Sequence, residues 1–169
     1  FWPLYLAALI GVILYQEQPT WLVPQSPLPT PTPTRSAIFY QASAESALRA
    51  GNYDAAFHAY NEMSRLEPTN PDSFIALSDL YLMFQELDKA LQVAQRAVSA
   101  APDDPDALAA RARALNWLEE NDDAAIDAFD ALEINPDHVH TLAVLAEIYT
   151  DVGNREIAEA YINQALALD

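Results

Sequence analysis

Residues 71–104 read PDSFIALSDLYLMFQELDKALQVAQRAVSAAPDD, and residues 105–138 read PDALAARARALNWLEENDDAAIDAFDALEINPDH. Set one beneath the other, they place Ser78 over Ala112, Ala90 over Ala124 and Pro102 over Pro136, a step of 34 residues. The same step runs back to Ala44, Ala56 and Pro68 and forward to Ala146 and Ala158. A period of this size marks stacked supersecondary units, each too small to bury its own apolar face alone.

Within each unit the spacing predicts two helices. The eight are 37–50 and 53–66, 71–84 and 87–100, 105–118 and 121–134, 139–152 and 155–168. Alanine is abundant and β-branched residues are sparse, which favours helix. Pro71 and Pro105 fall in first turns, where a missing N–H is harmless. Pro68, Pro102 and Pro136 follow helix ends and stop them. The turns inside the pairs read Gly51-Asn52, Gln85-Glu86, Glu119-Glu120 and Gly153-Asn154, so two of the four offer a glycine where a positive φ is cheap.

The whole chain of 169 residues divides by composition into three. Residues 1–18 open with the uncharged run FWPLYLAALIGVILY, about 22 Å long as a helix. That is short of the ~20 residues a bilayer core requires. Three readings fit it: the end of a longer transmembrane helix, the core of a signal peptide (without a basic segment before it or an A-x-A-like site after it), or a helix that packs against copies of itself. A buried globular helix is the bland alternative, and a proline-rich tether separates it from any other core. As an anchor or assembly helix, its apolar contacts would come from Phe1, Trp2, Leu4, Leu6, Leu9, Ile10, Ile13 and Leu14. Residues 19–36 hold six of the twelve prolines. They read as a polyproline II spacer of roughly 50 Å at full extension. Its alternating Thr and Pro also suits O-glycosylation at Thr30, Thr32 and Thr34, with a bare linker as the simpler reading. Residues 37–169 are the repeat array, divided as 37–70, 71–104, 105–138 and 139–169.

The charge of −17 comes from 25 acids against 8 bases, almost all after residue 36. That excludes a phosphate-backbone binder, which presents a basic face, and charge-driven docking on anionic lipid. With no cysteine there is no disulfide framework and no thiolate site.

At the residues quoted above, the array resembles the tetratricopeptide repeat family. Small residues stand midway in each first helix, early in the second and late in the second: Ala44/Ala56/Met63, Ser78/Ala90/Ala97, Ala112/Ala124/Ala131 and Ala146/Ala158/Ala165. Tyr40, Phe74, Leu108 and Leu142 take the large early position, and Leu77, Tyr81, Leu115, Leu145 and Tyr149 fill the interior. Met63 and Arg111 depart from the pattern; Arg111 is expected to be paired or to reach solvent along its stem. The resemblance implies an all-α, right-handed solenoid of four helix-turn-helix repeats whose first helices line a concave groove. Carried over by position, the groove residues are Gln41, Glu45, Leu48, Arg49, Asp72, Ile75, Asp79, Leu82, Met83, Asp106, Ala109, Arg113, Asn116 and Trp117. Some family members clamp a partner's C-terminal carboxylate with basic groups in this groove. Here those places carry Glu45, Asp79, Asp106 and Ala110, so the implied ligand is a basic or apolar peptide. A solvated acidic face is the competing reading of these carboxylates.

Near the end of the array, Ile162, Leu166 and Leu168 are expected to form an exposed stacking face that a second copy would cover. The N-terminus weakly resembles a processed type IV pilin, with Tyr5 where pilins usually carry Glu. Signals for chemistry are sparse. His138 and His140 stand two apart, which on a helix points them to different sides, so no metal site is expected there. Asp103, Asp104, Asp106, Asp122 and Asp123 lack the glycine and final Glu of a calcium loop and read as helix-start residues. No nucleophile–base arrangement or phosphate loop is present, and neither a cofactor nor catalysis is expected. The functional expectation is a scaffold for protein–protein interaction, anchored to a membrane through its first helix, displayed outside the cytoplasm or at the cell surface, and self-associating. The alternative is a structural subunit of a pilus-like filament.

Overall fold

A computed structural model of the chain describes residues 35–168. The expected anchor helix (Phe1 through Leu14), the glycosylation sites Thr30, Thr32 and Thr34, and nearly all of the spacer lie outside the described residues. Among the described residues there are eight helices and no strand. They are α1 (Ala37–Arg49), α2 (Tyr53–Leu66), α3 (Asp72–Met83), α4 (Leu87–Ala100), α5 (Pro105–Trp117), α6 (Asn121–Ile134), α7 (Val139–Asp151) and α8 (Arg155–Leu168). Each first helix packs on the second helix of its own hairpin, each second helix on the hairpin that follows, and α3, α5 and α7 stack in one row. None of the described helices is long and apolar enough to cross a membrane.

The small residues explain the close pairing. Ala44, Ala56, Ala90, Ala112 and Ala124 are wholly buried where the two helices of a hairpin cross. Ser78 holds the same place in the second repeat, and its hydroxyl donates to the Ala90 carbonyl at 3.1 Å, so the polar substitute is satisfied. Met63, the large exception, is buried among Ala59, Tyr60 and Leu77. Phe74, Leu108 and Leu142 are buried at the large early position, while Tyr40 is half-buried.

The four hairpin turns share one geometry. The N–H groups of Asn52, Glu86, Glu120 and Asn154 donate to the carbonyls of Ala47, Tyr81, Leu115 and Tyr149, a 6→1 bond that closes each first helix. The residue before each donor has φ between 58° and 80°: Gly51, Gln85, Glu119 and Gly153. Only two of the four are glycine, so Gln85 and Glu119 hold a left-handed conformation that costs a Cβ-bearing residue about 1 kcal/mol. Helix starts are capped by side chains of Ser36, Asn52 and Asp104, and Asp122 and Asp123 occupy the first turn of α6.

Arg111 is paired. Its guanidinium donates twice to the Asp127 carboxylate, both at 2.6 Å, across the third hairpin. Asp127 is buried and Arg111 partly so.

Candidate functional site

The row of first helices places residues 34 apart on neighbouring turns of one surface. Glu45, Asp79, Arg113 and Glu147 form one such series, and Arg49, Met83, Trp117 and Asp151 another. The first series is joined across repeats. Arg113 donates to Asp79 at 3.0 Å and lies 4.0 Å from Glu147. An open groove of about 1200 Å³ is bounded by Arg113, Asn116 and Trp117 of α5, by Ala143, Ala146, Glu147, Thr150 and Asp151 of α7, and by Ile162 of α8.

The groove is acidic and amphipathic. Trp117 is 46 % exposed and offers an apolar wall. Asn116 is buried; its amide nitrogen donates to Asp151 at 2.7 Å, and its carbonyl oxygen has no partner among the described residues. Arg113 Nε is likewise buried without a hydrogen bond there. Desolvation raises the carboxyls of Asp79 and Glu147 above the usual range, while the charge of Arg113 pulls both the other way. An ionised acid that costs free energy in the free protein is one that a cationic ligand would stabilise.

Of the residues expected in the groove, Arg113, Asn116 and Trp117 line this cavity together. Gln41, Glu45 and Arg49 are exposed on α1, Asp72, Asp79 and Met83 are exposed on α3, and Leu48, Ile75 and Asp106 are half-buried, but none of them bounds it. Leu82 corrects the expectation: it is buried against Ala90, Ala94 and Ala114, because its position faces the paired helix rather than the open side. Ala109 is buried in the same way, within the core of the last two repeats. Glu147 and Asp151 were missed, although one further step of 34 from Arg113 and Trp117 reaches both. Ile162, Leu166 and Leu168 are exposed on α8.

A second constellation lies at the junction of repeats three and four. His138 is the residue before α7, with φ −76° and ψ 100°, and is not helical, so the expected i,i+2 splaying of His138 and His140 does not occur. Both rings therefore turn to Asp106 of α5, with His138 Nε2 at 3.2 Å and His140 Nδ1 at 3.0 Å from the same carboxylate oxygen.

The tetratricopeptide repeat family matches residues 47–114 and again residues 139–169, together more than half of the chain. Among curated sequences, none matches this chain. Among solved structures, TTC0263, a thermophilic tetratricopeptide repeat protein of Thermus thermophilus, is similar with a TM-score of 0.72 at 21 % identity, over 79 % of this chain and 75 % of that one. The first such domain of Spaghetti (RPAP3), bound to the HSP90 peptide SRMEEVD, has a TM-score of 0.64 at 20 % identity, over 70 % of this chain and 96 % of its own. YrrB, described as having an unusual peptide-binding site, has a TM-score of 0.60 at 22 % identity, over 79 % and 69 %. At such identities the likeness is one of fold.

Proposed function

We propose that this chain, which belongs to the tetratricopeptide repeat family, is a non-enzymatic interaction scaffold that receives an extended basic or apolar segment of a partner protein in the groove between α5 and α7. Two of its structural neighbours are peptide binders by description, and that general role carries over with the fold. The preference for a basic segment rests on one observation: Glu147 and Asp151 line the groove, and the one base among its lining residues, Arg113, is already paired with Asp79. Trp117 would cover an apolar side chain, and the carboxylates of Glu147 and Asp151 would pair with Lys or Arg. The peptide SRMEEVD held by one neighbour ends in acids; here Glu45, Asp79 and Asp106 stand where a carboxylate clamp would require bases, and like charge would repel it.

The test is affinity for peptides selected on the immobilised full chain. Selected sequences should be enriched in Lys and Arg and bind more weakly as salt rises. The pair Asp79→Asn and Glu147→Gln should lose roughly ten-fold in affinity. Selection of acidic tails, or affinity indifferent to both substitutions, would refute the groove assignment.

The scaffold is further proposed to wind as a right-handed superhelix, to be held to a membrane by residues 1–18, to be displayed outside the cytoplasm on the 19–36 spacer, and to self-associate. The uncharged run 1–15 and the lone basic residue near it, Arg35, support this. The same uncharged run also supports the second reading, a pilus-like filament with these segments in its core. Mild detergent separates them: dispersed single chains or small complexes support the anchor, and detergent-resistant fibres the filament.

A further inference from the structure

Asp106, His138 and His140 come from two different repeats, yet one ligand-capable atom of each lies within 4.8 Å of the others. The distances have the scale of a coordination shell. Around a tetrahedral zinc ion with bonds of about 2.0 Å, neighbouring donor atoms sit about 3.3 Å apart. His138 Nε2 and His140 Nδ1 lie 3.2 and 3.0 Å from Asp106 Oδ1. The two rings are nearly perpendicular, at 85° with centroids 5.9 Å apart.

The site is also supported from behind. His138 Nδ1 lies 2.7 Å from the hydroxyl of Thr141, which is wholly buried. A proton on Nδ1 donated to that hydroxyl leaves the Nε2 lone pair free toward Asp106, the arrangement a metal-ligating histidine requires. His138 is itself only 14 % exposed at the side chain, which limits its rotamers. Asp106 is fixed at the start of α5, where its N–H donates to Asp104 at 2.9 Å.

We propose that Asp106, His138 and His140 bind one divalent transition-metal ion of the zinc class, with two nitrogen donors and one oxygen donor. Three protein ligands leave a fourth position for water or for a donor from a bound partner. Because Asp106 stands at the start of α5 while His138 and His140 stand at the start of α7, the ion ties the two helices that form the peptide groove. The mixed nitrogen and oxygen donor set selects against calcium and magnesium, which take oxygen. The inference does not depend on the peptide reading, since metal binding is measured without a peptide.

The experiment is calorimetric titration of Zn²⁺ into the chelator-treated full chain, followed by histidine ring resonances. One saturable equivalent per chain is expected, with the His138 and His140 rings shifting together and His58, exposed elsewhere, unmoved. His140→Ala and Asp106→Asn should each weaken binding roughly ten-fold or more, and His58→Ala should not. Both substituted side chains are largely solvent-facing, and circular dichroism checks that each variant folds. Zn²⁺ should raise the thermal midpoint of the wild type more than that of His140→Ala at the same concentration. Absence of saturable binding would overturn the proposal. So would equal binding by wild type and His140→Ala, or displacement of Zn²⁺ by equimolar Ca²⁺, because each points to the acidic surface or to a trio held by hydrogen bonds alone.

Discussion

Arg111 and Asp127 stand where the second repeat carries Leu77 and Val93. A bidentate ion pair has replaced an apolar contact at one layer of the stack. Removing one member strands the other: Arg111→Ala leaves the Asp127 carboxylate buried and should cost about 3 kcal/mol in denaturant unfolding. The double variant Arg111→Leu with Asp127→Val restores the neighbouring repeat's pair and should be close to wild type or more stable. Glu147 gives a pH signature. Its folded-state pKa is raised, first by desolvation, so the folded protein holds this proton above the unfolded carboxyl pKa of about 4.3. Stability from this group is therefore fully present below that pH and declines as pH rises through the raised value. Glu147→Gln should be more stable than wild type at pH 7, and the gap between their thermal midpoints should close near pH 4. Residue by residue, the sequence showed Arg111 as an exception without showing its partner. Asp127 was not singled out, because only the folded hairpin brings it, 16 positions on, against Arg111. The histidine pair was misjudged because a helical rule was applied to a residue just outside the helix.

The helices themselves were legible nearly to the residue, because proline stops, helix-start acids and a strict period all agree. Two element-scale features carry measurable energy. Gln85 and Glu119 hold positive φ without being glycine, and both are exposed. Gln85→Gly and Glu119→Gly should each stabilise the array by about 0.5–1 kcal/mol, read from the urea midpoint, since relief of the left-handed strain outweighs the added freedom of the unfolded chain. At the helix crossings there is no room. Ala112→Leu should cost about 1–3 kcal/mol or more by forcing α5 and α6 apart, whereas Ala167→Leu, exposed on α8, should leave the midpoint almost unchanged. Leu82 shows the limit of reading faces by analogy. A position one residue from exposed Met83 is core, because adjacent helical residues point about 100° apart.

For the molecule as a whole, hairpins that contact only their neighbours give a surface on which every first-helix residue recurs one repeat on. The period thereby turns a fold signal into a site signal. The groove's charge follows from it, since Asp79, Arg113 and Glu147 are successive members of one series and the acids outnumber the base. The depth of the groove did not follow, because it depends on side-chain bulk at Trp117 and on which polar atoms find partners. The most direct measurement is a map of backbone amide shifts in the isotope-labelled full chain, titrated in parallel with a Lys/Arg-rich peptide and with SRMEEVD. Shifts from the basic peptide should cluster at Arg113, Trp117, Glu147 and Asp151, with SRMEEVD producing none at the same concentration. Equal binding of SRMEEVD, or shifts gathered on α2, α4 and α6, would contradict an acidic peptide groove on the row of first helices.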